Sequence, residues 1–309
     1  MTRITDALVL TAGLGTRLRP LTLVRAKPAI PLAGEPMARR IARTLAAQAV
    51  VNQTYNLHHL PHTLTAVLGD GSDLGARIRY SWEHPVVLGS AGGPRRALDI
   101  VGAQTFFLVN GDTLTDVALQ PVADAHQRSG ALVTLALVPN TEPDKYGGVL
   151  LAADGAVTGF DRRGAAAGSF HLIGVQVVNR DAFVSLSPDE PASSIGGLYD
   201  QLIAERPGSV RGTVVDANFW DIGSVADYWA TSQAMSQGAS VSGHGDVHPS
   251  AQVSRAILWD DVKVEEGAIV EACIVTDGVC VPRGAVYRRS ILRAAGGGIE
   301  VSALPEDAR

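Results

Sequence analysis

Cysteine is scarce. Cys273 and Cys280 are the only two in the chain, which gives no disulfide framework and no metal-ligand spacing and suits a reducing compartment. Positive charge is not in excess either: 26 Lys and Arg against 31 Asp and Glu leave a formal net charge of −5. No global positive field therefore gathers nucleic acid or an anionic membrane, and any polyanion must be held by a local cluster. Long apolar runs are missing as well. Before Thr11 the apolar stretch is only Ala7 to Leu10, too short for a signal segment or a spanning helix, and nothing later approaches a membrane span. The expectation is a cytoplasmic protein with neither nucleic acid nor membrane as partner. No Ser-His-Asp arrangement and no paired general acid and base stands out.

At 309 residues with 46% hydrophobic content, the chain can fill a sizeable core in one large domain or two. Short β-branched runs, "ALVLTAG", "NQTYNLHH", "RIRYSW", "TFFLVNGD" and "ALVTLALV", alternate with helical patterns such as "EPMARRIARTLAAQAV" and "GGPRRALDIV". The helix from Pro36 takes proline in its first turn and sets Met37, Ile41 and Leu45 on one face. Such alternation predicts an α/β fold with a doubly wound, mostly parallel sheet, whose ligands sit outside the carboxyl ends of the strands. After Gly147 the pattern turns to strand pairs. "RGTVVDANFWDIG" reads as one strand leading to a last helix, "SVADYWATSQAMSQ", capped by Ser224.

The small, polar stretch "GASVSGHGD" marks a boundary, giving domains 1–238 and 239–309. Beyond it, Ser254 to Val270 and Glu271 to Tyr287 align as a repeat of about 17 residues, and "RRSIL" begins a third. Ala256, Cys273 and Ser290 are equivalent, as are Ile257, Ile274 and Ile291, and Gly267 and Gly284. An apolar residue about every sixth position resembles the hexapeptide repeat of left-handed parallel β-helices, with room for two to three coils. His244 and His248 precede the repeats, so acyl transfer by the coil is disfavoured. Its expected roles are oligomerisation or allosteric packing.

The first strand runs into "GLGTRLRPLT". Glycines Gly13 and Gly15 let backbone amides approach a phosphate chain, and such a turn is concave toward anions. Arg17 can clamp two phosphate oxygens, while Lys27, between Ala26 and Pro28, is a compact point charge. Pro20, Pro28 and Pro31 stiffen the loop. No Gly-Lys-Ser/Thr ends the run, so it is not a Walker loop, and without a third glycine it is not the dinucleotide fingerprint.

These residues resemble the sugar-1-phosphate nucleotidylyltransferases, the nucleotide-sugar pyrophosphorylases, whose signature is G-x-G-T-R-L-x-P-L-T followed by a lysine beside a proline. Gly13, Gly15, Thr16, Arg17, Leu18, Pro20, Leu21 and Thr22 fill it in order. The resemblance implies a Rossmann-like sheet of the nucleotide-diphospho-sugar transferase type. It also implies that Ala12, Gly13, Leu14, Gly15, Thr16 and Arg17 bind the nucleotide. In "FFLVNGDTLTD", Asp112 alone would read as a turn cap; the family's Asn-Gly-Asp implies Asn110 and Gly111 at the nucleotide and Asp112 on magnesium. "FWDIGSVADYW" is similar to the W-x-D-x-G segment, which makes Asp221 the second carboxylate; two carboxylates plus phosphate oxygens and water suit that hard cation. "LGSAGG" is similar to L-G-T-A-G, with Gly89 closest to the base. "DKYGGV" matches the Y-G-V sugar turn at Gly147, with Gly148 extra. The family's Glu-Lys-Pro becomes "GFDRRG" here, so Asp161 and Arg162 are carried to the sugar phosphate on charge order alone, and Arg163 stands in place of proline.

The reaction implied is NTP plus sugar 1-phosphate giving NDP-sugar and pyrophosphate, with Arg17, Lys27, Asp112 and Asp221 as its catalytic groups and magnesium as cofactor. The layout is most similar to mannose-1-phosphate guanylyltransferases with a short C-terminal β-helix, which implies GTP, mannose 1-phosphate and a homo-oligomer. "GDGSDLGARIRYSWE" is similar to uridylyltransferases of amino-sugar phosphates, so uridylyl or thymidylyl transfer stays open, as does a non-catalytic regulatory subunit. Arg19 has no assigned role.

Overall fold

A computed structural model describes residues 3–164, 168–236, 241–242 and 245–308. Two compact units form, one from Met1–Gly13, Ile41–Pro61 and Leu68–Trp220, the other from Leu14–Arg40, His62–Val67 and Asp221–Arg309. The expected boundary at Gly238, and His244, lie outside the described residues.

The first unit carries a nine-stranded sheet. Its strands are β1 (Asp6–Leu10), β2 (Asn52–Leu57), β3 (Arg77–Trp82), β4 (Thr105–Asn110), β5 (Val133–Pro139), β6 (Gly148–Leu151), β7 (Val157–Asp161), β8 (Phe170–Asn179) and β9 (Val210–Val214). The spatial order is β7-β6-β8-β4-β1-β2-β3, and β5 pairs with both β8 and β9. β3, β2, β1 and β4 are mutually parallel, while β8 enters antiparallel to β4, so the sheet is mixed. The α-helices among the described residues are α1 (Met37–Ala47), α2 (Pro61–Leu68), α3 (Gly89–Val101), α4 (Leu119–Ser129), α5 (Tyr199–Glu205) and α6 (Val225–Met235). Continuous apolar runs such as Phe106 to Val109 belong to a strand covered on both faces. Phe106 and Leu108 are buried in one cluster with Leu8, Leu135 and, from α3, Ala97, Leu98 and Val101.

From β1 the chain steps outward through β2 to β3, then α3 carries it back to β4 on the other side of β1. That reversal opens a crevice at the carboxyl ends of β1 and β4. Thr11 to Gly13 leave β1 there, and Gly111 and Asp112 leave β4.

Two sequence expectations shift. Pro36 lies in a short strand, Glu35–Pro36, paired with Pro31–Leu32, and the helix starts at Met37. The two residues between them, Ala33 and Gly34, both take positive φ, 49° and 82°, the demand of a tight two-residue hairpin that holds Pro36 in the ladder. "RGTVVDANFWDIG" is two strands: β9 joins the large sheet, and Phe219–Asp221 pairs with Thr113–Thr115. The break falls at Asn218, whose backbone N and side-chain Nδ2 both donate to the Asp116 carboxylate, at 2.7 and 2.8 Å.

In the second unit the repeat builds a parallel β-helix with three faces. Ile257, Ile274 and Ile291 stack in register, as do Lys263 with Cys280 and Ile269 with Val286, all 17 residues apart. Leu258, Val264, Val270, Val275, Val281 and Leu292 fill its interior. The coil begins one turn earlier than the alignment from Ser254 indicates: Gly245–Val247 and Gln252–Ser254 already pair with the strands of the next turn. Ser250 hides that turn in the sequence, because it stands where Gly267 and Gly284 stand, with its hydroxyl accepting the Gly267 N–H at 3.0 Å. Gly298–Ala303 closes the last turn by pairing antiparallel with Ser290–Ala295.

Candidate active site

The first unit brings Ala12, Gly13, Asn110, Gly111 and Asp112 to the switch point between β1 and β4. Gly111 donates to the Leu10 carbonyl at 3.0 Å, and a Cβ on it would lie 2.6 Å from that oxygen. Only glycine therefore allows the β4 end this close to the β1 end. Gly174 on β8, at φ +77°, plays the same part behind Asn110 and Thr113, whose Cβ atoms would be 3.1 and 3.0 Å from an added Cβ. The Thr113 hydroxyl reaches Asp112 Oδ1 at 3.4 Å.

Two polar residues not singled out from the sequence govern this region. Asn56, at the end of β2, accepts the N–H groups of Thr11 and Ala12 on its Oδ1, and its backbone carbonyl accepts the Thr11 hydroxyl. Its Nδ2 donates to Glu83 Oε1 at 2.7 Å, and Glu83 Oε2 accepts the Leu88 N–H at 2.6 Å. Both residues are buried, 2% exposed each. The turn after β1 and the L-G-S-A-G element are thus joined through one carboxylate. A polar residue inside an apolar strand run was the available signal, since a buried polar group needs partners.

At Gly89 the backbone has φ +78°, and an added Cβ would meet the Ala192 carbonyl at 2.8 Å. That same carbonyl accepts from Ala91 and Gly92 at 2.9 and 3.2 Å. The Ala91 and Gly92 amides in the first turn of α3 are therefore satisfied by the chain itself, and the need for glycine at position 89 comes from the Ala192 segment.

Gly147 and Asp161 meet through the β6–β7 hairpin, in which Asp161 pairs with Gly148; a Cβ on Gly147 would sit 3.1 Å from the Asp161 carbonyl. Arg162 and Arg163 follow and are exposed. Beside the turn, the rings of Tyr146, His171 and Phe219 pack together, Tyr146 and His171 at 4.1 Å between centroids. Burial pushes the His171 imidazole down to about 4, against the effect of its hydrogen bond to the Gly147 backbone, and nearby Lys145 lowers it further. The ring is uncharged at neutral pH.

The second unit holds Leu14, Gly15, Thr16, Arg17, Lys27 and Asp221. The loop folds as three short turns, Thr16–Leu18, Leu21–Leu23 and Lys27–Ala29. Gly15 takes φ +60°, and an added Cβ would be 2.7 Å from the Thr22 methyl and 3.2 Å from Lys27 Cβ. The Thr22 hydroxyl donates to the Gly15 carbonyl at 2.9 Å. The threonine closing the signature thus fixes the glycine that opens its turn. Leu14, Thr16 and Arg17 are exposed, whereas Lys27 is 7% exposed. Arg17 and Asp221 converge at Gly223: around a Cβ placed there lie Asp227 Oδ2 at 3.2 Å, Arg17 Nη1 at 3.3 Å and Asp221 Oδ2 at 3.4 Å. Asp227 is a further residue the sequence reading missed; its N–H caps onto Ser224, so its pattern is that of a helix start.

Among the described residues no cluster of three or more His, Cys, Asp or Glu is placed to hold a metal ion. Asp112 and Asp221 are oxygen donors of the kind magnesium takes; a cation held by one or two carboxylates completes its shell with water and substrate phosphates. No helix among the described residues is long and apolar enough to cross a membrane.

A family model described as nucleotidyl transferase matches residues 6–238, and one described as the GlmU-like C-terminal hexapeptide matches residues 225–296. A mannose-1-phosphate guanylyltransferase of Mycobacterium tuberculosis is 32% identical over 301 residues, covering 92% of this chain and 83% of that protein. A UTP–glucose-1-phosphate uridylyltransferase of Synechocystis is 25% identical, covering 98% and 83%. An N-acetylmuramate α-1-phosphate uridylyltransferase of Neisseria meningitidis is 36% identical over 146 residues, 45% of this chain and 62% of that one. Among solved structures, HddC from Yersinia pseudotuberculosis superposes with a TM-score of 0.65 at 20% identity, over 75% of this chain and all of that one; at that identity it shows the fold. With the signature loop, the switch-point aspartate and the 17-residue coil in place, the chain belongs to the nucleotidyl transferase family, as a sugar-1-phosphate nucleotidylyltransferase with a hexapeptide-repeat C-terminus.

Proposed function

We propose that the chain transfers a guanylyl group from GTP to mannose 1-phosphate, releasing pyrophosphate. The supporting observation is the similarity to the Mycobacterium tuberculosis mannose-1-phosphate guanylyltransferase over 92% of the chain, which takes in the coil as well as the sheet. A second reading, uridylyl transfer to an amino-sugar phosphate, is supported by the higher identity, 36%, to the muramate enzyme over a shorter stretch.

The nucleophile is a phosphate oxygen already ionised at neutral pH, so no activated base is required. The obstacle is the approach of two polyanions, and catalysis is positioning and charge neutralisation. Arg17 would hold the departing pyrophosphate, Lys27 the α-phosphate, and Arg162 with Asp161 and Gly147 the sugar phosphate. The loop Ala12 to Arg17, Gly89, Asn110 and Gly111 would line the nucleotide. Asp112 and Asp221 would hold magnesium, which when bound neutralises phosphate charge. The coil would join copies into a homo-oligomer, which the mass of the full chain in solution reads.

Pyrophosphate release is measured with five nucleotides against a panel of sugar 1-phosphates. GTP with mannose 1-phosphate is expected to give the highest kcat/KM; a preference for UTP with an amino-sugar phosphate selects the second reading. Asp112→Asn is expected to lower turnover by about two to three powers of ten. Unchanged magnesium-dependent release in that variant would remove Asp112 from the catalytic set.

A further inference from the structure

Arg25 is 8% exposed and lies two residues before Lys27. Its Nε donates to Asp277 Oδ2 and its Nη2 to Asp277 Oδ1, each at 2.6 Å, so the pair is a two-pronged fork. Nη2 also reaches Asp260 Oδ2 at 2.6 Å. Asp260 and Asp277 occupy the same corner of successive coils, 17 residues apart, and Asp277 Oδ1 accepts the Asp260 N–H at 3.2 Å. The remaining arm, Nη1, donates to the Ala29 carbonyl at 3.4 Å. Burial opposes the guanidinium charge, but the hydrogen bonds and charges of Asp277 and Asp260 outweigh it and raise its pKa.

A second tie leaves the same corner. The Arg25 guanidinium lies 5.5 Å from the Trp259 ring. Trp259, fully buried, donates its Nε1–H to the Tyr228 hydroxyl at 3.0 Å, and Tyr228 donates to the Pro31 carbonyl at 2.7 Å. The Lys27–Ala29 turn is therefore gripped before and after, at Arg25 and at Pro31, by groups that the coil orients.

We propose that Arg25 is a positioning residue for Lys27, and that the hexapeptide coil, through Asp260 and Asp277, sets the conformation of the phosphate loop. The coil is then part of the catalytic apparatus as well as a surface for assembly. A partly buried ion network is a poor source of net stability, because desolvation of Arg25 offsets much of its attraction to Asp277 and the half-exposed Asp260; what a planar fork on two carboxylates does supply is direction. Lysine in place of Arg25 keeps the charge and loses the fork. Asparagine in place of Asp277 keeps the shape and loses the charge.

The inference rests on Lys27 acting at the triphosphate, so the test has two arms. In the full chain, Arg25→Lys, Asp277→Asn and the milder Asp260→Asn are assayed for kcat and KM per folded molecule. Displacing a reacting group by about 1 Å costs up to a hundredfold; Arg25→Lys and Asp277→Asn are expected to lose about ten- to a hundredfold in kcat, with KM for the sugar phosphate within about twofold. The double variant is expected to be no worse than the poorer single one, since the pair acts as a unit. A role confined to stability would lower the melting temperature and leave kcat per folded molecule unchanged, and that result overturns the proposal. The second arm needs no substrate: amide hydrogen exchange across residues 25–31 is expected to speed up in all three variants. Unaltered exchange in folded Asp277→Asn overturns the clamp even if the wild-type chain proves inactive, whereas faster exchange in the variants of an inactive wild type faults the functional reading alone.

Discussion

Glu83 accepts a hydrogen bond from the Asn56 side-chain amide at 2.7 Å, and its second oxygen holds the Leu88 N–H at 2.6 Å. Truncation in Glu83→Ala leaves two buried donors without acceptors, each at a cost of about 1–3 kcal/mol. At about 2–4 °C per kcal/mol for a chain of this size, the melting temperature is expected to fall by roughly 4–24 °C. The KM for nucleotide should rise with it, because the same network fixes Thr11 and Ala12. Glu83→Gln retains one acceptor and should fall between. Thermal unfolding that places Glu83→Ala within about 1 °C of the parent would refute this account.

Gly93, in α3, tests the same carboxylate from the other side. A Cβ there would stand 2.5 Å from Glu83 Oε1 and 2.9 Å from Asn56 Nδ2. Alanine gains about 1 kcal/mol of helix propensity over glycine, but overpacking costs about 1–3 kcal/mol. Both carboxylate oxygens are already bonded, so the group cannot swing aside, and Gly93→Ala is expected to destabilise by up to about 2 kcal/mol. Gly159 on β7 is the control: no atom lies within 4 Å of its added Cβ, and Gly159→Ala should stay within about 0.5 kcal/mol of the parent. Denaturant unfolding of both decides, and a stabilised Gly93→Ala would show that the network yields.

The sheet, the switch point and the coil were readable because each rests on local periodicity: β-branched runs, glycine at a strand end, an isoleucine recurring at 257, 274 and 291. The site residues that escaped depend on separations no local pattern reaches. Asn56 and Glu83 are 27 residues apart, and Arg25 and Asp277 are 252 apart. In sequence, Asn56 is a polar interruption of a strand and Arg25 is one more arginine near the glycine turn; their partners exist only after folding. The first coil was missed for a chemical reason, since serine at position 250 accepts the bond that the glycine positions otherwise arrange through backbone alone.

His126 on α4 sets an acid limit on stability. It is 4% exposed, with Nδ1 2.9 Å from the Thr134 hydroxyl, and burial pushes its imidazole down to about 4 from 6.5. The folded state holds the ring neutral while the unfolded chain protonates near 6.5, so this contribution is complete above pH 6.5 and fades as pH falls toward 4. At pH 5 the loss is about 2 kcal/mol. In His126→Asn the slope of unfolding free energy between pH 7 and 5 is expected to flatten by that amount. Parallel slopes for parent and variant in urea unfolding would assign the acid sensitivity to other groups, His171 first among them.

The coil carries strain at one corner of three successive turns. Arg255, Ala272 and Arg289, 17 residues apart, have φ of 48°, 51° and 43°, a left-handed backbone that costs an L-residue about 1–2 kcal/mol. Glycine removes that cost but gives back about 0.5–1 kcal/mol in chain entropy. Because Arg255 is exposed, little packing is lost with its side chain, and Arg255→Gly is expected to stabilise the coil by about 0.5–1 kcal/mol. Lys263→Gly, at an exposed mid-strand position with ordinary extended backbone, has no strain to relieve and should destabilise by about 1 kcal/mol. Opposite signs for the two substitutions in thermal unfolding are the expected result. Equal losses would mean that the corner geometry is held by neighbouring coils strongly enough to make the residue type irrelevant.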